Sequence, residues 1–401
     1  MCSACRGPIS VSPFDDLVVV SLEQAVAAPF ATRQLADLGA RVIKIERPGT
    51  GDFARAYDTT VKGLSSYFVW LNRSKESLTL DLKRPEAMRV IERLLENADV
   101  FLQNLAPGAI DRLGLGADAL RRRYPRLIIC NLSGYGTSGP YADKKAYDLI
   151  IQSEVGMLAV TGTEDTPSKV GVSIADISAG VYAYSGILTA LLARKDSGEG
   201  TVVDVALIDT LGEWMSYAAY YTQYGGTQPP RSGASHATIA PYGSYRTCDG
   251  AIIIAVHNKV EWTEFCSRVL QQPALAEDPR FQTNVLRVQH REALTEAIEA
   301  ALMHLPSAEV LRRLETASIA NARVNSIGEY LQHPQLAARD CWREIESPSG
   351  PIRALVPPVR LQDVEPAMGA VPALGQHSRA ILEQLQFDRD TIARWARDGV
   401  I

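Results

Sequence analysis

The sequence predicts an α/β fold, a parallel β-sheet flanked by helices with a smaller α+β domain attached, and three observations predict it. Short apolar runs alternate with helical stretches through the first half of the chain. A segment rich in Gly, Pro and Ser, residues 225–243 (GGTQPPRSGASHATIAPYG), breaks that alternation. Beyond it the pattern changes to one strand-like run, AIIIAV at 251–256, followed by helical segments over 259–271 and 291–316.

The elements follow in order. Residues 17–22 (LVVVSL) are a continuous apolar run and read as a buried strand. Pro29 opens a helix over 29–38 that Gly39 closes, and 41–46 (RVIKIE) is a second strand, which makes a β-α-β unit. The runs at 99–104 (DVFLQN) and 126–136 (RLIICNLSGYG) follow helical stretches, one with Pro85 near its start. A Pro-rich stretch at 347–373 precedes a final short helix near 376–386. The expected organisation is an N-terminal extension at 1–14 and a large domain over 15–224. A small domain with its connecting loop covers 225–330, and 331–401 returns to the large domain.

Composition narrows the function classes. Hydrophobic residues make up 46% and charged residues 22%, the usage of an ordinary globular chain. A net charge of -5 gives no electrostatic footprint for nucleic acid. No apolar run approaches the roughly 20 residues needed to span a bilayer and no h-region follows a basic start, so no membrane partner and a cytoplasmic location are expected. The six cysteines are too scattered for a disulfide framework and read as reduced thiols; Cys2 and Cys5 form a CxxC with no second ligand pair, so no metal is expected.

The first strand runs into SLEQAVAAPF, without the glycines that seat a pyrophosphate on a helix start; those at Gly114 and Gly116 lie elsewhere. No P-loop and no G-x-S-x-G elbow is present. Polar clusters stand instead beyond the expected strand ends, at Glu46–Asp52, 71–75 (LNRSK), 104–108 (NLAPG) and 144–148 (KKAYD). Basic side chains and backbone donors in such loops suit a phosphate-bearing ligand.

Asp176 is the candidate nucleophile. It lies in GVSIADISAG, at the mouth of an apolar helix, where free backbone N–H groups and the helix dipole are expected to keep its carboxylate ionised. Ala175, Ser178, Ala179 and Gly180 leave room for a substrate to approach; the plainer reading is a helix cap.

The order of these segments, VIKIERPGTGD, NRSKESLTLDLK, NLAPGAIDRLGLG, NLSGYGTSGPY, KKAYDLIIQSEVGM, IADISAG and SGEGTVVDVALID, resembles the class III CoA transferases (CaiB/BaiF type). The resemblance spans about residues 15–210 and continues more weakly beyond. It implies a large Rossmann-like domain with a smaller α+β domain in an interlocked homodimer. It further implies no permanently bound cofactor, with coenzyme A as substrate alongside a small carboxylic acid. In the resemblance Arg47, Leu71, Asn72, Lys75, Asn104, Leu105, Ala106, Arg112, Lys145, Tyr147 and Asp148 would line the CoA path, and Asp176 would carry the acyl group.

The chain departs from the formyl-CoA branch at one loop, with Val26 in place of its glutamine and Gln24 two residues earlier, and it lacks that branch's glycine-run flap. Oxalate is therefore a poor candidate acceptor. The opening segments look most like the branch handling C4 and C5 dicarboxylic acids, with mesaconyl-CoA C1-to-C4 transfer expected first and intermolecular transfer from succinyl-CoA to citramalate or itaconate second. Gln24, Val26, His236 and Tyr242, with Arg231 and Tyr245, are candidate acid contacts, and amides of residues 134–136 or 225–243 are candidate oxyanion donors. A racemase sharing the fold is disfavoured, because its histidine base has Tyr147 in its place. A non-catalytic CoA-binding protein would bind CoA without a covalent intermediate.

Overall fold

A computed structural model of the chain describes residues 12–401. The Cys2/Cys5 pair and most of the expected 1–14 extension lie outside the described residues. The chain divides into two compact units. One comprises Met1–Val155, Gly171–Trp214 and Ala337–Ile401; the other comprises Gly156–Val170 and Met215–Leu336.

The first unit is built on a six-stranded sheet ordered β3-β2-β1-β4-β5-β6, with every neighbouring pair parallel. The strands are β1 (Val18–Leu22), β2 (Arg41–Glu46), β3 (Lys75–Thr79), β4 (Val100–Gln103), β5 (Ile128–Ser133) and β6 (Val202–Ala206). Residues 17–46 form the expected β-α-β unit, with α1 over Ala27–Asp37, two residues ahead of Pro29. The strand order reverses between β1 and β4, the switch point where open α/β sheets bind ligands. Buried Val20, Ile43, Phe101 and Ile129 pack from these strands onto α3 (Pro85–Leu95) through Val90, Ile91 and Leu94.

Two strands have sequences that conceal them. β3 reads KESLT and β6 reads VVDVA, with polar residues where a doubly covered strand is normally apolar. Lys75 and Ser77 are nevertheless buried, because each has a charged partner described below. The outer edge of β3 is closed by the returning chain. Ser74 N–H donates to the Ala370 carbonyl (2.9 Å), His377 N–H to that of Ser77 (3.0 Å), Ser77 N–H to His377 Nδ1 (3.1 Å) and Thr79 N–H to Ser378 Oγ (3.0 Å). The last helix of the expected pattern spans Ser378–Gln384, and a further one follows at Arg389–Arg397. Asp388 caps the latter by accepting from Thr391 N–H, and Ile392 and Trp395 join the sheet core.

The helix carrying Asp176 spans Ile174–Ser197. By length and composition it is apolar enough to cross a bilayer, which corrects the expectation that no such stretch exists. In the fold it packs against α1, with Ala175, Ala179 and Ala183 buried. Gly180 makes that contact possible: a Cβ there would stand 2.7 Å from the Ala27 carbonyl oxygen.

The second unit holds an antiparallel sheet, β7 (Tyr242–Thr247), β8 (Gly250–Ala255) and β9 (Ala320–Arg323), in the order β7-β8-β9. Its own core includes Ile252, Ile254, Trp262, Phe265 and Leu314. The helical stretch expected over 291–316 is two helices, Arg291–Leu302 and Ser307–Thr316, separated at Pro306, whose missing N–H suits a helix start. Gly156–Val170 joins this unit, not the first, because Arg231 donates to the carbonyls of Thr163 and Glu164 and Gly233 N–H to that of Gly162. A two-stranded hairpin, β10 (Trp342–Ile345) and β11 (Ile352–Leu355), belongs to the first unit.

Candidate active site

Asp176 sits in the first turn of its helix, with Asp148 against that turn from the helix Asp148–Glu154. The N–H groups of Ala175 and Asp176 donate to Asp148 Oδ1 (2.7 and 3.4 Å), and Gln152 Nε2 donates to Asp148 Oδ2 (2.6 Å). The Asp176 carboxylate accepts no hydrogen bond and meets no cation among the described residues. Burial and then the like charge of Asp148 push its pKa up to about 7. The expected stabilisation by the helix start is therefore corrected: Asp148 holds those donors, and Asp176 is a reluctant anion. Small side chains line the same turn, as expected. Tyr147 and Tyr57 lie near enough for their charge to couple electrostatically to each other, and Tyr57 couples to Asp176 as well.

The loop between β1 and α1 is fixed from below by a buried charge layer. Lys44 Nζ lies 2.6 Å from Asp52 Oδ2 and 3.4 Å from Glu23 Oε1, and Lys75 Nζ lies 2.7 Å from Glu23 Oε1. Thr32 Oγ1 donates to Glu23 Oε2 (2.6 Å), and Arg55 and Ser77 bind Glu46. Above it Ala25, with φ +63°, donates its N–H to Asp52 Oδ1 (3.0 Å). A non-glycine residue in the left-handed region persists only where its surroundings over-determine it. Asn104 completes the clamp by accepting from Gln24 N–H (2.8 Å) and donating to the Gln24 carbonyl (2.9 Å).

The residues expected along the CoA path differ in their surroundings. Lys75 is fully enclosed and points at Glu23, Asn72 donates to the Phe68 carbonyl, and Leu71 is buried core. Both polar ends of Asn104 are engaged by Gln24, and Val26 is buried ahead of α1. An open cavity of about 430 Å³ lies at the carboxyl ends of β1, β2 and β3, lined by Leu22, Gln24, Ile45, Arg47, Leu80, Asp81, Lys83, Leu105 and Gly399 among others. Lys83, a cation at this cavity, did not stand out in the sequence because β3 begins only at Lys75 and its carboxyl end falls at 79–83.

Arg47 and Lys83 are exposed at that cavity and pair with no carboxylate among the described residues. Arg112, Lys145, Tyr147 and Ala106 are also exposed, outside the cavity lining. Gln24 Oε1 accepts from Phe53 N–H (3.3 Å). Of the expected oxyanion donors, Gly136 N–H is already bound to Ser133 Oγ (3.0 Å) and His236 N–H to the Tyr242 carbonyl (2.8 Å). His236 and Tyr242 stack at 5.2 Å in the second unit, where Tyr245 is buried and Arg231 is tied to two carbonyls.

Known proteins resemble this chain along nearly its whole length. A succinyl-CoA:glutarate CoA-transferase from Mus musculus is 33% identical over 98% of this chain and 91% of its own. A succinyl-CoA--D-citramalate CoA-transferase from Chloroflexus aurantiacus is 33% identical over 93% and 94%. The crystal structure of a CAIB/BAIF family protein from Brucella suis superposes with a TM-score of 0.83 at 34% identity, covering 94% of this chain and all of that one. The family model for CoA-transferase family III matches residues 14–378, and the chain belongs to that family of enzymes.

Proposed function

We propose that this CoA transferase exchanges coenzyme A between C4 and C5 dicarboxylic acids, with succinyl-CoA as donor, by covalent catalysis at Asp176. The observation that carries the reading is the bare carboxylate of Asp176 among small side chains, with no partner among the described residues to neutralise it. The names of the relatives support the acid class.

In this reaction the Asp176 carboxylate attacks the thioester carbonyl, forming a mixed anhydride and expelling the CoA thiolate. The thiolate attacks the aspartyl carbonyl of the anhydride, releasing the first acid as its carboxylate and leaving an aspartyl-CoA thioester. The acceptor carboxylate attacks that thioester, giving a second anhydride and the thiolate again. Attack of the thiolate on the acceptor's carbonyl yields the new acyl-CoA and restores Asp176. Arg47 and Lys83 at the cavity suit the phosphates of CoA, and Leu22, Ile45 and Leu80 supply its apolar wall.

The intramolecular C1-to-C4 move on mesaconyl-CoA is the same chemistry with one acid as both donor and acceptor. A homodimer is part of the reading, supported by Tyr217, Tyr220 and Tyr224, which stand exposed along the helix Ser216–Gly225. A cytoplasmic location accords with free Cys130, Cys248, Cys266 and Cys341.

The test is chromatographic. The enzyme receives succinyl-CoA with glutarate, citramalate, itaconate or mesaconate, and separately mesaconyl-C1-CoA alone. New CoA esters in the first set establish intermolecular exchange, and the C4 ester in the second establishes the intramolecular move. Absence of product in every arm refutes the proposed acid class.

A further inference from the structure

We propose that Asp148 is a positioning residue that keeps Asp176 reactive by taking the start of the helix for itself; the proposal rests on the covalent role of Asp176 given above. All donors of the first turn are occupied before any substrate arrives. Ile174 N–H bonds to the Val172 carbonyl (2.8 Å), Ile177 N–H to that of Ser173 (2.9 Å), and the two between them to Asp148. Ser173, at the cap position, makes no side-chain bond to the helix. A carboxylate one turn into a helix normally gains from its N–H groups and dipole. Here that gain goes to Asp148, whose charge in turn acts on Asp176.

Among the described residues the surroundings offer no compensating cation. Tyr147 and Tyr57 are phenols. α1 presents Ala27, Ala28 and Pro29 at its start, and its Arg33 pairs with Asp37. The helix Leu207–Trp214 carries Asp209, and Asp204 of β6 accepts from Asn131 of β5. Lys144 is paired with Glu154, and Lys145 is exposed.

Two consequences follow for the reaction. A carboxylate that holds its proton more tightly is a stronger nucleophile once ionised. Asp176 also becomes neutral as an anhydride or thioester, which removes its repulsion with Asp148. Asp148 thereby favours the covalent states over the free carboxylate.

Asp148→Asn tests this, because the amide oxygen still accepts the two N–H groups while the charge is gone. Measured as kcat/KM against pH, the acid limb is expected to fall by about one pH unit or more, and the fraction of enzyme carrying covalent CoA at equilibrium, read by intact-protein mass spectrometry, to fall about tenfold. Asp148→Glu is expected to restore the wild-type limb. A uniform loss at every pH, with limb and adduct fraction unchanged, makes Asp148 a helix cap only and overturns the proposal. So does a wild-type acid limb below about pH 5, a measurement that needs no variant. Exchange without any adduct on Asp176 would refute the covalent reading itself, a different result from either.

Discussion

Beneath the β1–α1 loop, Glu23 and Asp52 are fully enclosed and each meets a lysine; at the start of the Asp176 helix one carboxylate feels the charge of another, and Asp176 meets no cation among the described residues. In the first region burial would raise Glu46, but Arg55 and Lys44 outweigh it and hold it at about 2. Burial raises Glu23 as well, and Lys75 with Lys44 again outweighs it. In the second region burial and the neighbouring charge act in the same direction, and Asp176 rises to about 7. The difference separates charge used to fix a backbone from charge kept available for reaction. Paired ions hold Ala25 and Gln24 in place, whereas the unpaired one is free to form a bond.

Replacing Asp176 by Asn breaks the reactive side of the comparison most severely: kcat/KM is expected to drop at least ~10³-fold, measured by CoA-ester chromatography. On the structural side, Lys44→Met leaves Asp52 and Glu23 enclosed with one cation between them, and a loss of about 3–5 kcal/mol in urea unfolding is expected. The same Asp176→Asn variant then sharpens the contrast through stability. Between the ordinary carboxylate value and about 7 the folded protein keeps a proton that the unfolded chain has released, so stability falls as pH rises through that window. The Asn variant is therefore expected to be more stable than wild type by roughly 1–3 kcal/mol at pH 8 and equal to it near pH 4, as thermal melts at the two pH values will show. Smallest is Lys83→Ala, which removes a cation outside both clusters. KM for the CoA substrate is expected to rise about tenfold with kcat unchanged and no change in melting temperature.

The strands covered on both faces by apolar neighbours were legible in the sequence, because burial on both sides writes a continuous run such as Val18–Leu22. β3 was not, because its inward side chains are Lys75 and Ser77 and their burial depends on Glu23 and Glu46 from other strands. That omission left Lys83, which stands at the cavity beyond the carboxyl end of β3, unremarked in the sequence. Asp176 was legible from its small neighbours and its helix, but its ionisation was not. That depends on which of two carboxylates receives the helix donors, and Asp148 lies 28 residues earlier.

The closure of the β3 edge by residues 370–378 has a bearing on aggregation. A sheet edge with unpaired N–H and C=O groups is a template for another chain, and here the groups that block it lie almost 300 residues after the strand. During synthesis β1 to β6 can all emerge before residue 370, so the nascent sheet carries an open edge until the chain is nearly complete. Chains truncated between residues 206 and 370 are expected to self-associate through β3, and a small polar substitution in the 370s will act on solubility before it acts on catalysis.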